Sequence, residues 1–309
     1  MVTSKVWNFD AIHYPFNSKT ALRVISGETD EEDAVEYIRR HGIKEVKVVM
    51  PDLEFLNRCP ELLCLDVSPS FDALHPFSFA PVYGQKNLKM LHTCTRYGEK
   101  NQYIAEFDYS RLPQLEYLNF EANKGAKGFE SLKKLKTLAV GGYASSDGDL
   151  KGLYASKELD TLELKGCKEV SLEGIDISLR LQYLSISYNR RLKDISALKK
   201  VKTSLKALNV YYCPAIEDYS VLGELENLEL LRLIGNFSVE NLSFISRMKS
   251  LKTFVFGGNV LDGDLSACLK LEYVYFEKYR RHYNLKDSDF SKKRFVRGNE
   301  DIEEWRRLE

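Results

Sequence analysis

Residues 181–189 read Leu181-Gln-Tyr-Leu184-Ser-Ile186-Ser-Tyr188-Asn189, and 24 residues on the chain reads Leu205-Lys-Ala-Leu208-Asn-Val210-Tyr211-Tyr212-Cys213. Both stretches carry the core apolar-x-x-apolar-x-apolar, followed three residues later by Asn or Cys. Working outward, the core recurs at Leu159-Leu162-Leu164, Leu135-Leu138-Val140 and Leu115-Leu118-Phe120 on one side. On the other it recurs at Leu228-Leu231-Leu233, Leu251-Phe254-Phe256 and Leu271-Val274-Phe276. From Leu115 onward the steps between starts are 20, 24, 22, 24, 23, 23 and 20 residues. Looser copies precede them at Ile43-Val46-Val48, Leu62-Leu65-Val67 and Leu88-Leu91-Thr93, with the steps from Leu62 and from Leu88 stretched to 26 and 27.

The end of each core alternates apolar and polar, the period of a strand that buries one face. The polar or thiol residue after it, at Asn123, Cys167, Asn189, Cys213, Asn236 and Asn259, falls where the chain leaves the strand. A side chain turned inward there can satisfy backbone groups of the bend. No unit of this length buries its apolar face alone, so the units must stack.

The pattern resembles the leucine-rich repeat family, LxxLxLxxN/C at 20–29 residues per repeat, firmly over Leu115–Phe276 and loosely from Ile43. That resemblance implies an α/β fold: a right-handed solenoid, or horseshoe, with a concave parallel β-sheet and short convex returns. The returns Asn189–Leu198 and Cys213–Leu222 are similar to those of bacterial internalins and of a eukaryotic phosphatase-regulating family, while Asn236–Ile245 drifts from the pattern. The thiol-bearing repeats are also similar to a cysteine-containing subclass. Such returns hold a turn of 3₁₀-helix or a short α-helix. A single domain is expected over residues 1–309, with an N-terminal cap at 1–42, repeats at 43–276 and a C-terminal cap at 277–309.

Stacked repeats leave an open core at each end, and caps close it. Thr29-Asp-Glu-Glu32 matches a capping box, with Ala34, Val35 and Ile38 at helical spacing and Gly42 as a stop. This predicts a helix over about residues 30–41 leading into the first strand. Ile302, Trp305 and Leu308 predict a short helix that lays Trp305 on the last coil. Residues 66–112 depart from the repeat, with Pro69, Pro76 and Pro81 and the aromatics Phe71, Phe77, Phe79, Tyr83, Tyr97, Tyr103 and Phe107. They form either a projecting ligand site or irregular coils whose rings fill a wider core, and packing is the expectation.

The composition narrows the function. At 44% hydrophobic the chain of 309 residues is no disordered polymer. Its 45 Lys+Arg balance 45 Asp+Glu, which argues against a general nucleic-acid or anionic-membrane binder. No apolar run approaches the ~18 residues of a membrane span, and Met1–Asp10 has no apolar signal core. A cytoplasmic protein is therefore expected, or an extracellular one if a signal has been removed. The six cysteines form no CxxC and read as reduced thiols. No P-loop, GxGxxG, GxSxG or HExxH occurs, and no cofactor is expected.

The resemblance implies a non-enzymatic scaffold, bacterial in the internalin-like reading, that binds another protein, and a monomer is expected. The concave residues between the leucines are Tyr183, Asn209, Tyr211, Leu230, Arg232, Ile234, Val255, Tyr273 and Tyr275, with Tyr188 and Tyr212 one step beyond. Exposed Tyr, Arg and aliphatic side chains are the composition of an interface centre; the competing reading is lateral stacking between strands. An alternative of another class places a metal-dependent or Cys/His enzyme at Cys64, Asp66, His92 and Cys94, as a patch of ligand types on two adjacent strands. A third is a secreted adhesin or effector. On the outer surface, aligning the repeats sets Lys200, Glu224 and Arg247 in one column, Lys202, Glu226 and Lys249 in another, and Lys193 beside Glu217. Opposite charges would then meet between coils.

Overall fold

The computed structural model describes residues 21–59, 62–73, 75–153 and 156–290; the expected helix at Ile302, Trp305 and Leu308 lies outside them. The alternating cores become one sheet of twelve strands in sequence order. Its strands are β1 (Leu22–Ile25), β2 (Glu45–Met50), β3 (Cys64–Pro69), β4 (Met90–Thr93), β5 (Tyr117–Glu121) and β6 (Thr137–Gly141). The series continues with β7 (Thr161–Lys165), β8 (Tyr183–Ser187), β9 (Ala207–Tyr211), β10 (Leu230–Ile234), β11 (Thr253–Phe256) and β12 (Tyr273–Phe276). Every neighbouring pair is parallel, and the second leucine of each repeat faces that of the next, as Leu184 does Leu208 and Leu208 does Leu231.

The repeat leucines form the core: Leu138, Leu162, Leu184, Leu208 and Leu231 are fully buried. Each contributes about 1.5–3 kcal/mol by leaving water. The returns are short as expected, with 3₁₀ turns at Ser196–Val201, Ser220–Glu224 and Ser266–Lys270. The drifting return makes a five-residue α-helical turn, α2 (Ser243–Arg247). One device starts all four: an Asp or Asn carbonyl-type oxygen two residues upstream accepts from the Ser N–H, at Asp194, Asp218, Asn241 and Asp264.

The residue after each strand behaves as read in most coils. The thiol of Cys167 donates to the Val140 and Lys165 carbonyls, and that of Cys213 to those of Ile186 and Tyr211. Asn189 Oδ1 accepts from Cys167 N–H at 2.7 Å, and Asn123 bonds Thr95, Glu121 and Gly125. Asn236 and Asn259 are the exceptions: Asn236 is exposed, with the Phe237 ring packing against Phe256 and Tyr219, and Asn259 Oδ1 accepts from the Tyr283 hydroxyl at 3.5 Å rather than from the bend.

At the N-side, α1 spans Glu31–His41 and buries Ala34, Val35 and Ile38, with Gly42 left-handed at its end. Two readings are corrected. The N-cap is Asp30, whose carboxylate accepts from Glu32 and Asp33 N–H, one residue past the expected Thr29. The helix also follows a strand of the sheet, because β1 pairs along β2 from Leu22 to Ile25. Four residues flanked by Ser26 and Gly27 gave too short a pattern to read as a repeat. In the irregular segment, Phe77, Phe79, Tyr83, Tyr97 and Phe107 are buried as packing predicts, whereas Phe71 and Tyr103 are exposed.

Between coils, Lys202 meets Glu226 at 2.5 Å as the charge columns predict, but Lys200 reaches back to Glu173 and Asp176 at 2.7 and 3.5 Å. A longer ladder was missed. From Leu88 on, and with Gln182 as the one uncharged gap, the residue after the first leucine alternates in sign: Lys89, Glu116, Lys136, Asp160, then Lys206, Glu229, Lys252 and Glu272. Glu116 lies 3.2 Å from Lys89 and 2.7 Å from Lys136, and Glu229 lies 2.6 Å from Lys252.

Candidate functional site

Strand alternation turns every second side chain of the sheet away from the leucine core, onto the concave face. The register lines up one central row from end to end: Arg23, Lys47, Asp66, His92, Asn119, Ala139, Glu163, Ser185, Asn209, Arg232, Val255 and Tyr275. The N-terminal part of this face is ionic and the C-terminal part aromatic and aliphatic.

In the ionic part, Asp66 is 2% exposed and lies 2.9 Å from Lys47 Nζ and 3.2 Å from His92 Nδ1. The alternative four-residue cluster does not assemble as a whole. Leu65 pairs with Leu91, so Cys64 faces Met90, where its thiol lies 3.2 Å from the thioether sulfur. Cys94 is two rows further on and donates to the Arg96 carbonyl at 3.6 Å. At ~3.3 Å per residue, four positions separate the two cysteines by about 13 Å along the strands. Burial, with help from the Glu45 carboxylate, pushes the Cys64 thiol up to about 11, so it stays protonated at neutral pH and is a poor nucleophile. Among the described residues no three His, Cys, Asp or Glu side chains are grouped to hold a metal ion.

Beside this part lies a groove of about 550 Å³ over β6, lined by His92, Asn119, Glu121, Ala139, Gly141, Glu163 and Lys165. Arg96 holds Glu121 through its Nε at 2.8 and 2.9 Å. Sequence reasoning missed the groove. Its signal was Ala139 and Gly141 at the two concave positions where other strands carry Asn, Glu, Arg or Tyr.

The aromatic part holds the predicted partner-binding residues, but their exposure is smaller than expected. Tyr183, Asn209, Leu230, Arg232, Ile234, Val255 and Tyr273 are all buried. They point away from the main core, yet parallel strands ~4.8 Å apart let neighbouring side chains cover each other. Ile234, Val255 and Tyr273 form a second apolar cluster, with Tyr211 packed against it. Ser185, Asn209 and Arg232 are chained by hydrogen bonds of 2.9 and 3.5 Å. The Arg232 guanidinium sits 5.1 Å from the Tyr211 ring centroid, and burial lowers its pKa from the usual arginine value.

Three of the predicted residues do reach solvent: Tyr188, Tyr212 and Tyr275, at 45, 39 and 42% exposure. Tyr188, Tyr211 and Tyr212 form one group of rings, Tyr211 standing edge-on to both others at 5.3 and 4.7 Å. Tyr188 and Tyr212 occupy left-handed backbone, φ 58° and 51°, at the position where the two preceding coils have Gly142 and Gly166.

No protein-family model matches the chain, and no curated protein matches it. Solved structures share its fold. An internalin, InlF of Listeria monocytogenes, superposes with a TM-score of 0.50 at 14% identity, over 84% of this chain and 89% of that one. TLR13, solved in complex with a single-stranded RNA, also reaches 0.50 at 16% identity, over 80% of this chain; the match spans 42% of TLR13. At such identities the likeness shows the fold and leaves the ligand open. The expectation against nucleic acid came from net charge alone, and the fold adds nothing to it, since TLR13 was solved with RNA bound. Among the described residues no helix is long and apolar enough to cross a membrane.

Proposed function

We propose that this chain, a leucine-rich repeat protein with the internalin-like fold, is a non-enzymatic scaffold that binds another protein on the C-terminal part of its concave face. The observation that carries the reading is the apolar cluster at Ile234, Val255 and Tyr273, flanked by the exposed rings of Tyr188 and Tyr212 on one side and of Tyr275 on the other. Rings held rigidly beside aliphatic side chains supply contact area at low entropic cost, the usual make-up of an interface centre. All six cysteines are free thiols, five of them buried, which supports a cytoplasmic site of action.

The test is affinity capture from extracts of the native organism with wild-type protein and with Tyr211→Ala, Tyr212→Ala and Tyr275→Ala, each verified as folded by circular dichroism. Leu269→Ser, on an exposed convex return, is the control. Retention of a specific protein is expected to fall at least about tenfold in the tyrosine variants, the loss of one good contact, and to persist in the control. Equal retention by all variants would place the partner elsewhere and reject the reading.

A further inference from the structure

We infer that the part of the partner seated on the rim beside the tyrosines is acidic, an inference that rests on the protein-binding reading above. The rim is made by the residues six to ten places after each first leucine, where the chain leaves the sheet. In the Leu159 and Leu181 coils these stretches are Lys165-Gly-Cys-Lys168-Glu169 and Ser187-Tyr188-Asn-Arg190-Arg191. Lys168, Arg190 and Arg191 are all exposed, while Lys165 turns into the groove beside Glu163 and stands apart from them. The one carboxylate of the two stretches, Glu169, is 3% exposed, with Oε1 accepting from Ser145 N–H at 2.9 Å and burial holding its pKa above the ordinary value. The flanking coils, Gly141–Ser145, Tyr211–Ala215 and Ile234–Ser238, place no charge at these positions.

The two charged coils and the tyrosine pair are joined by hydrogen bonds: Gly166 N–H to Ser187 O, Cys167 N–H to Asn189 Oδ1 and Tyr188 N–H to Tyr211 O, at 2.7–2.8 Å. In a chain whose 45 cations match 45 acids, this strip therefore sets three exposed cations, Lys168, Arg190 and Arg191, against the one buried carboxylate of Glu169 beside the aromatic group. Neighbouring coils lie ~5 Å apart, inside the Debye length of about 10 Å at 0.1 M salt, so their fields add at an approaching anion. A basic strip continuous with an aromatic patch selects a partner carrying Asp, Glu or a phosphorylated side chain near an apolar anchor.

The strip is also short, which favours a protein over a nucleic acid. Ala144 and Pro214 occupy the places of Lys168 and Arg190 in the coils on either side. A single strand running on in either direction would pass rim positions with no cation, Gly141–Ser145 on one side and Tyr211–Ala215 on the other. A run of phosphates needs cations along its path, whereas an acidic peptide segment needs only a few.

The test uses the whole 309-residue chain and three fluorescent probes: a short glutamate-rich peptide, its lysine-rich counterpart and an oligouridylate, read by anisotropy at about 50 and about 200 mM salt. The glutamate-rich peptide is expected to bind, to weaken as salt rises, and to lose at least about tenfold in affinity in Lys168→Glu/Arg190→Glu. Both residues are exposed, and an unchanged melting curve verifies the fold. No binding, binding that survives the charge reversal, or tighter binding of the oligouridylate overturns the inference. The double variant is also run in the capture experiment. A partner lost in Tyr212→Ala but kept by Lys168→Glu/Arg190→Glu ends the acidic-segment inference and leaves the scaffold standing. Capture indifferent to the tyrosines ends the scaffold reading itself.

Discussion

Tyr188 and Tyr212, one coil apart, stack with ring centroids 6.0 Å apart and planes 15° from parallel, each ring carried by a backbone in the left-handed region. That region costs a residue with a Cβ about 1–2 kcal/mol, while an aromatic pair returns about 0.5–1.5 kcal/mol. Tyr212→Gly removes both and is expected to stay within about 1 kcal/mol of wild type in urea unfolding. Tyr212→Ala keeps the strained backbone without the ring and should be about 1 kcal/mol less stable than the glycine variant. Equal stability of the two would show that the conformation carries no cost.

Asn189 is buried and its Oδ1 accepts the Cys167 N–H at 2.7 Å. Asn189→Ala leaves that N–H unsatisfied inside the solenoid, a loss of about 1–3 kcal/mol, to be read as a lower denaturation midpoint with an unchanged m-value. Asn236→Ala, at the equivalent but exposed position, should change stability by less than about 0.5 kcal/mol.

Lys136 and then Lys89 hold the Glu116 carboxyl below its ordinary pKa. A depressed folded pKa means the contribution is complete above the unfolded value of about 4.3 and is lost as pH falls through the lower folded value. The side chain is nearly a third exposed, so solvent screening limits the effect to less than about 1 kcal/mol. Glu116→Gln should thus narrow the gap between melting temperatures at pH 7 and pH 3. Glu116→Lys, which sets three like charges in a column, should lower the melting temperature at pH 7, most of all at low salt.

Burial pushes the Cys167 thiol up to about 12 and the Cys213 thiol up to about 11. Both should resist iodoacetamide in the native protein at pH 8, as should Cys64. Cys94, the one cysteine that is not buried, should be alkylated first, with the other five following only on unfolding. Prompt modification of Cys64 would contradict its placement against Met90.

The repeat was legible because strand period, leucine spacing and the inward Asn or Cys all act within a few residues. The returns were legible for the same reason, since Asp194 and Ser196 are local partners. β1 escaped notice because one edge strand of four residues has no repeat of its own to align. The site was half legible. Alternation correctly turned Tyr211, Arg232 and Tyr275 out of the core, but only the spacing of neighbouring strands decided that Arg232 is covered and Tyr275 is not. The Cys64 cluster failed on register: Leu65 opposite Leu91 carries Cys64 to Met90, and a shift of two residues separates groups that share a face.

By itself, the sequence determined which residues enter the core and how the coils repeat, because apolar burial at a fixed period has one economical solution, stacking. Tertiary structure alone decided which concave side chains meet solvent, which charges pair and where the groove opens. Those outcomes depend on contacts between residues 20 or more apart, Glu116 with Lys136 or Tyr188 with Tyr212, whose distances are set by strand spacing and coil register rather than by anything local.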